Sequence, residues 1–170
     1  MKHYPLIFGP HGGLVAGNGF IAHVVIRGRC LLEETDPEFV SVLGVNPGAV
    51  AGDGANMGEA YHDYLENVKL NVLGIAAEAE DFDDFKAQVQ HFVRETNEPN
   101  GTLWQAAVAA VRAGEIDLEG VRREDADSAF WVEVEPIALD DDHEKAVHHP
   151  LGPALNEPSA TREDFKLVAA

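Results

Sequence analysis

Apolar residues alternate along the chain shortly after its start and indicate a strand. They fall at every second position, at Phe20, Ala22, Val24 and Ile26. This period of two, rich in β-branched and aromatic residues, predicts a strand over 20–27. Ile21 and Val25 place apolar side chains on the opposite face as well, which predicts a covering layer on both faces. A polar turn over 33–37 and a second apolar run predict another strand over 38–45, paired with the first as a hairpin.

Two segments have the composition of turns. The Gly-rich stretch 9–19 is predicted to form turns, because it lacks the Lys-Ser or Lys-Thr pair and the following helix of a phosphate-binding loop. The dipeptides Asn46-Pro47 and Asp53-Gly54 predict a loop over 46–54. A short strand at 49–51 is expected inside that loop.

The first helix has a local start signal and a clear apolar face. Asn56 is followed three positions later by Glu59, which resembles an N-terminal capping box. Apolar residues then recur at spacings of three and four, which predicts a helix over 57–78. This face consists of Tyr61, Tyr64, Leu65, Val68, Val72 and Ile75.

Two further helices follow the first. A second amphipathic face contains Phe82, Phe85, Val89, Phe92 and Val93. The polar segment 96–101 contains Pro99, and we expect it to separate this helix from the next. Thr102 with Gln105 resembles another capping box, and Gly114 is a natural helix end.

The remaining chain contains one more predicted strand and an irregular segment. Alternation from Phe130 to Val134 predicts a half-exposed strand, ended by Pro136. Residues 140–170 show no defensible period and are predicted to be an irregular acidic tail. The predicted architecture is therefore a single α+β domain over 1–139. It has a small, mostly antiparallel sheet of about three to five strands, packed by about three helices.

Charge is the most unusual bulk property of the chain. Its 170 residues carry a net charge of −18, yet residues 1–32 contain no Asp or Glu. Such acidity disfavours direct binding to nucleic acid and favours a basic protein partner. Cys30 is the single cysteine, which excludes a disulfide framework and fits a cytoplasmic protein. No apolar run approaches the length needed to span a membrane, and no cofactor motif is present.

Several histidines and the cysteine are candidates for chemical roles. Metal-ligand candidates cluster late in the chain, at His143, His148, His149 and Asp141. His62 falls on the polar side of the first helix and is predicted to be a surface residue rather than a general base. His23 stands among apolar neighbours and is predicted to be buried. Cys30 is predicted to pack inertly, although Arg27 and Arg29 could lower the pKa of a more exposed thiol.

Part of the chain resembles the HicB-like antitoxin family. The resemblance covers about residues 19–76: two strands, Pro47-Gly48-Ala49, Gly52-Asp53, and a helix containing Leu65-Glu66-Asn67-Val68-Lys69. It implies a noncatalytic, degraded ribonuclease-H-like core that binds a small basic RNA-cleaving toxin. The chain lacks the C-terminal helix-turn-helix or ribbon-helix-helix pattern that such antitoxins use on operator DNA.

Three hypotheses of function remain open at the level of the sequence. The leading one is a HicB-like, noncatalytic interaction protein, with candidate partner-binding residues Asp53, Glu59, His62, Asp63, Glu66 and Trp131. The second is a metal-dependent hydrolase or small-ligand enzyme that uses His and Asp side chains. The third is a homo-oligomeric structural protein that pairs with its own copies. The sequence favours binding over catalysis.

Overall fold

A computed structural model describes residues 2–36, 39–117, 122–124, 130–138 and 165–168. The strands are β1 Lys2–Gly17, β2 Phe20–Asp36, β3 Phe39–Asn46, β4 Ala51–Gly54, β5 Arg122–Glu124, β6 Trp131–Pro136 and β7 Phe165–Val168. The helices are α1 Met57–Glu78, α2 Phe82–Arg94 and α3 Glu98–Arg112. The antiparallel strands and the three helices confirm the predicted α+β class.

The described strands form one sheet in the order β4-β3-β2-β1-β7-β5, and β6 also pairs with β2. The long β2 pairs with β1 along one edge. Its other edge is divided between two strands: Ala22–Arg27 pairs with β6, and Arg29–Asp36 pairs with β3. β7 pairs antiparallel with Leu6–Phe8 of β1, and β5 runs parallel to β7. The edge of β1 that carries β7 therefore faces away from β2.

The prediction of turns over 9–19 is wrong for most of that stretch. β1 continues to Gly17 and pairs with β2 up to the Gly17–Phe20 pair, with a register shift between Phe8 and His11. The turn itself is reduced to Asn18 and Gly19, and Gly19 adopts a φ of 77° that favours glycine. Pairing with a distant strand outweighs the low strand propensity of the glycines, because each paired residue gains ladder hydrogen bonds.

Other boundaries differ from the predictions for local reasons. The predicted turn over 33–37 is wrong because β2 continues through Asp36, and the short strand expected at 49–51 lies instead at β4. α3 begins at Glu98, four residues before the predicted capping box. Asn97 caps it by accepting from the Asn100 N–H, and Pro99 falls in the first turn, where its missing N–H costs little.

The sheet is covered by helices on both faces over much of its area. Leu6 and Phe8 of β1 pack in a cluster with residues of α1 and α2, whereas Ile7 packs with Trp104 of α3. Adjacent strand residues point to opposite faces, so α1 and α2 lie on one side of the sheet and α3 on the other. Arg29 stacks over the ring of Trp104, with its guanidinium carbon 5.1 Å from the ring centroid.

The first half of β2 is covered less completely than predicted. Ala22 and Val24 are buried on the side of α1 and α2, but Ile21 and Val25 are only half-buried on the other side. His23 lies on that second side and is exposed, so its predicted burial is wrong. The reason is that α3 packs against the cluster around Ile7 and does not extend over these residues.

Two remaining predictions concern Cys30 and the segment 140–170. Cys30 is fully buried, as predicted, and burial raises the pKa of its thiol. Most of the predicted tail over 140–170 lies outside the described residues, but β7 shows that a strand of the sheet comes from it. None of the described helices combines the length and apolarity that crossing a bilayer requires.

Candidate functional site

The exposed side of α1 carries an acidic surface near its N-terminus. Glu59, His62, Asp63 and Glu66 occur at helical spacings of three, four and seven, so they share one side of the helix. Glu59, His62 and Asp63 are exposed, and Glu66 is half-buried. The opposite side carries the buried Tyr61, Tyr64 and Val68, as the apolar periodicity predicts. The exposure of His62 agrees with its predicted surface position.

Asp53 joins these residues through β4. Its backbone N–H donates to Oδ2 of Asp63 over 3.0 Å. Its side chain accepts from the Ser41 hydroxyl of β3 over 2.6 Å. The Asp63 carboxylate thus ties β4 to α1. The Asp53 side chain lies with Ser41 on the other side of the sheet, because Gly52, its neighbour on β4, faces α1.

Gly52 allows β4 to approach α1 this closely. A methyl group at Gly52 would collide with the backbone N of Tyr64 and the carbonyl O of Ala60. These are helix backbone atoms, which cannot move aside as a flexible side chain can. Glycine at this position is therefore a packing requirement.

Two glutamates of the group differ in what they already bind. Glu59 accepts from the Ala55 N–H over 3.0 Å and from the Asn56 side-chain amide over 2.8 Å. The Asn56 side chain accepts in return from the Glu59 N–H, as in the predicted capping box, but the Glu59 carboxylate accepts from the Ala55 N–H and the Asn56 side-chain amide in place of the Asn56 N–H. Glu66 contacts the Lys69 ammonium at 3.5 Å, the length of a loose surface pair. Glu59 therefore fixes the helix start, whereas Glu66 is available to a second cation.

We define the acidic face as Glu59, His62, Asp63 and Glu66. The structure brings these four predicted partner-binding residues together on α1. Asp53 adjoins Asp63 through its backbone N–H, while its side chain lies with Ser41 on the other side of the sheet. The sixth, Trp131, lies half-buried on β6 opposite Arg27, on a different part of the sheet. The metal-ligand candidates His143, His148, His149 and Asp141 lie outside the described residues. The part of the chain that the structure describes contains no group of three or more His, Cys, Asp or Glu side chains arranged to hold a metal ion.

An apolar groove opens beside the acidic face, between the second half of β1 and α1. Its volume is about 180 Å³. The lining consists of Phe8, His11, Gly12, Gly13, Leu14, Val15, Val24, Ile26, Leu65, Glu66, Val68, Lys69, Val72 and Leu73. Among these residues, His11 Nε2 lies 2.7 Å from the Tyr61 hydroxyl, within hydrogen-bond distance. A groove of this composition can bury aliphatic side chains but offers few converging polar groups.

Exposed leucines lie in and next to the groove. Leu14 on β1 and Leu73 on α1 line it and are 61% and 39% exposed. Leu70, three positions before Leu73 on the same helix, is 59% exposed. Sequence reasoning missed the groove because it assigned Leu14 to turns. One feature of the sequence does point to an exposed apolar surface here: Leu70 and Leu73 fall outside the apolar face of the predicted helix.

No protein-family model, curated protein or solved structure matches the chain. What the site does must therefore follow from its own geometry: an acidic face that can attract cations, and an apolar groove that can bury side chains.

Proposed function

We propose that this chain is a noncatalytic interaction protein whose acidic face binds a basic protein partner. The observation that carries the proposal is the clustering of the acidic residues Glu59, Asp63 and Glu66 on one side of α1. Lys and Arg side chains of a partner can pair with these carboxylates in bidentate or charge-assisted hydrogen bonds. Glu59 and Asp63 help to fix α1 and β4, whereas Glu66 and His62 do not, so Glu66 and His62 are the residues of the face most available to a partner.

The charge of the whole molecule supports the same partner. A net charge of −18 creates a long-range field that accelerates encounter with a basic protein. The same field repels phosphate backbones, which disfavours direct binding to nucleic acid. A face that is already rigid, because its carboxylates hold α1 and β4 together, loses little conformational entropy on binding.

We further propose that the core is HicB-like and that the partner is a small basic RNA-cleaving toxin. The support is the order of two strands, the Pro47-Gly48 turn, Gly52-Asp53 and a helix that packs on the sheet through Tyr64 and Val68. In such a pair, the acidic protein would occupy the basic surface with which the nuclease holds RNA. Inhibition would then require no catalysis by this chain.

The proposed surface can be tested with a decalysine peptide as a basic probe. We expect NMR titration to shift the amide signals of the first half of α1 most strongly, and Glu66→Lys to weaken binding at least about 5-fold. Glu115→Lys makes the same change in net charge at an exposed site beyond α3 and serves as the control. It should weaken binding less than about 2-fold, since the probe binds far from it.

The two substitutions distinguish binding at the acidic face from attraction to the net charge of the whole molecule. Equal weakening by the two substitutions, or shifts spread evenly over α2, would contradict the proposed face. The antitoxin role has a test of its own. A basic partner must cleave RNA when free and lose this activity in the complex with the natural protein. It should remain active when Glu66→Lys replaces the natural protein, but not when Glu115→Lys does.

A further inference from the structure

The second half of β1 presents a strand edge that no described strand covers. His11–Gly17 pairs with β2 along one edge. On the other edge, β7 pairs only with Leu6–Phe8. That pairing shows that this side of β1 accepts an antiparallel strand. Sheet edges are usually protected by lysine, proline or charged side chains, and His11–Gly17 contains no Lys, Arg, Asp, Glu or Pro.

This edge also lies in the part of the chain with the least negative charge. Residues 1–32 contain no Asp or Glu, although the whole chain carries −18. Two copies of the protein repel each other at most orientations. They approach with least repulsion when these acid-free segments face each other.

Exposed apolar side chains lie on both sides of this edge. Six large apolar side chains are strongly exposed among the described residues, and three of them, Leu14, Leu70 and Leu73, lie on β1 and α1. Leu14 is paired with His23, so its side chain points to the side of the sheet away from α1. Leu73 lines the groove, and Leu70, three positions before it, adjoins it on the surface of the helix. Exposed apolar side chains on both sides of an open sheet edge mark an interaction surface.

We propose that a second copy of this chain binds here and forms a twofold dimer. The second half of β1 pairs antiparallel with the same segment of the other copy, and the sheet continues across the interface. When all of His11–Gly17 is paired, Leu14 lies opposite Leu14 of the other copy, on the side of the sheet away from α1. The two α1 helices lie together on the opposite side of the joined sheet and bury Leu70 and Leu73 over the groove. Glu66 adjoins both this surface and the acidic face, but substitutions at Leu14 and Leu73 leave the acidic side chains in place, so either proposal can fail without the other.

Sedimentation equilibrium tests the dimer directly. We expect the dimer to have a micromolar dissociation constant, so the natural protein should be dimeric at about 100 µM. Leu14→Glu and Leu73→Glu should each weaken the dimer at least about 100-fold, because a twofold interface contains every substitution twice. Leu103→Glu on α3 is the matched control for Leu73→Glu, since the two leucines are 38% and 39% exposed. It should leave the dimer intact.

Several outcomes would overturn the dimer. One is a monomer at about 100 µM, whether the groove is then filled by another part of this chain or by a different protein. Another is a dimer that resists Leu14→Glu and Leu73→Glu, or one that Leu103→Glu disrupts equally. Circular dichroism of each variant confirms that it is folded, and folding is expected because the three leucines are exposed.

Disulfide trapping tests the predicted register. Cys30 is buried, so a new surface cysteine is the only accessible thiol. Leu14→Cys should form a disulfide-linked dimer under mild oxidation, because opposite residues in an antiparallel pair bring their Cβ atoms to about 4.5–5.5 Å. Leu103→Cys should not. Equal trapping at both positions, or trapping at Leu103→Cys alone, would refute the proposed pairing.

Discussion

At the scale of single residues, Gly52 decides how closely β4 approaches α1. We expect Gly52→Ala to destabilise the protein by about 3 kcal/mol, because the added methyl group meets backbone atoms of Ala60 and Tyr64. Urea denaturation followed by circular dichroism measures this change in the free energy of unfolding.

Gly74→Ala provides the matched control, because nothing lies within 4 Å of a methyl group at Gly74. This exposed position is inside α1, where alanine is the better helix former, so the substitution should stabilise by about 0.5–1 kcal/mol. Two substitutions of the same kind should therefore change stability in opposite directions. Equal effects would show that close packing at Gly52 is not what restricts that position.

Single residues differ in how well their environment could be predicted. His62 was placed correctly on the surface because helical periodicity within one element determines the side it occupies. His23 was placed wrongly, since its burial depends on whether a distant helix extends over that part of the sheet. Alternation within a strand identifies two faces but does not show which of them is covered.

At the scale of elements, the start of α2 is stabilised by two aspartates. Asp81 accepts from the Asp84 N–H over 2.9 Å, and Asp84 accepts in return from the Glu80 N–H over 3.0 Å. The Glu80 N–H, followed by the Gln88 side-chain amide, lowers the pKa of Asp84 below its ordinary value of 3.8. The folded pKa is thus below the unfolded one. The stabilisation is complete above the unfolded pKa and is lost as the pH falls through the folded pKa.

We expect Asp84→Asn to lower the melting temperature at pH 7 and to lose this effect as the pH falls through the folded pKa of Asp84, where the natural carboxylate becomes protonated. Thermal melts from pH 2 to pH 7 measure the difference. Asp83→Asn, a neighbouring exposed substitution in the same turn, is the control and should show a smaller dependence on pH. A difference for Asp84→Asn that stays constant down to pH 2 would contradict the role of its charge.

The elements that were predicted well are those with local signals. α1 was predicted within its observed bounds because the Asn56 cap and the apolar periodicity both lie in its own sequence. β1 was missed because its pairing with β2 is not local, although Asn18-Gly19 is a common hairpin turn. The start of α3 lies before its predicted position because Pro99 falls in the first turn, where proline is well tolerated, and does not end a helix there.

At the scale of the whole molecule, the net charge of −18 opposes compactness. We expect the melting temperature to rise by about 2–4 °C when NaCl increases from about 0.01 to 0.15 M, because the Debye length shortens from about 30 to 8 Å. Differential scanning calorimetry measures the shift. Choline chloride at the same ionic strength should produce the same rise, since screening does not depend on the identity of the cation. A rise seen with NaCl alone would indicate specific sodium binding instead.

The candidate surfaces were predictable to different extents. The four residues of the acidic face share one helix, so its spacing alone brings Glu59, His62, Asp63 and Glu66 together. Asp53 contacts Asp63 only through its backbone, on β4, which ends shortly before α1 begins. Trp131 was grouped with them only by chemistry, and its strand pairs elsewhere. The apolar groove could not be predicted, because it depends on the extension of β1 past α1.

The burial of Cys30 has a practical consequence for measuring how the core opens. Its thiol lies among Tyr64, Leu32 and their neighbours in the main apolar cluster. A water-soluble alkylating reagent can reach it only when that cluster separates. The rate of alkylation therefore records how often the centre of the protein is exposed to solvent, and it does so in the natural sequence without an attached dye or a substituted residue.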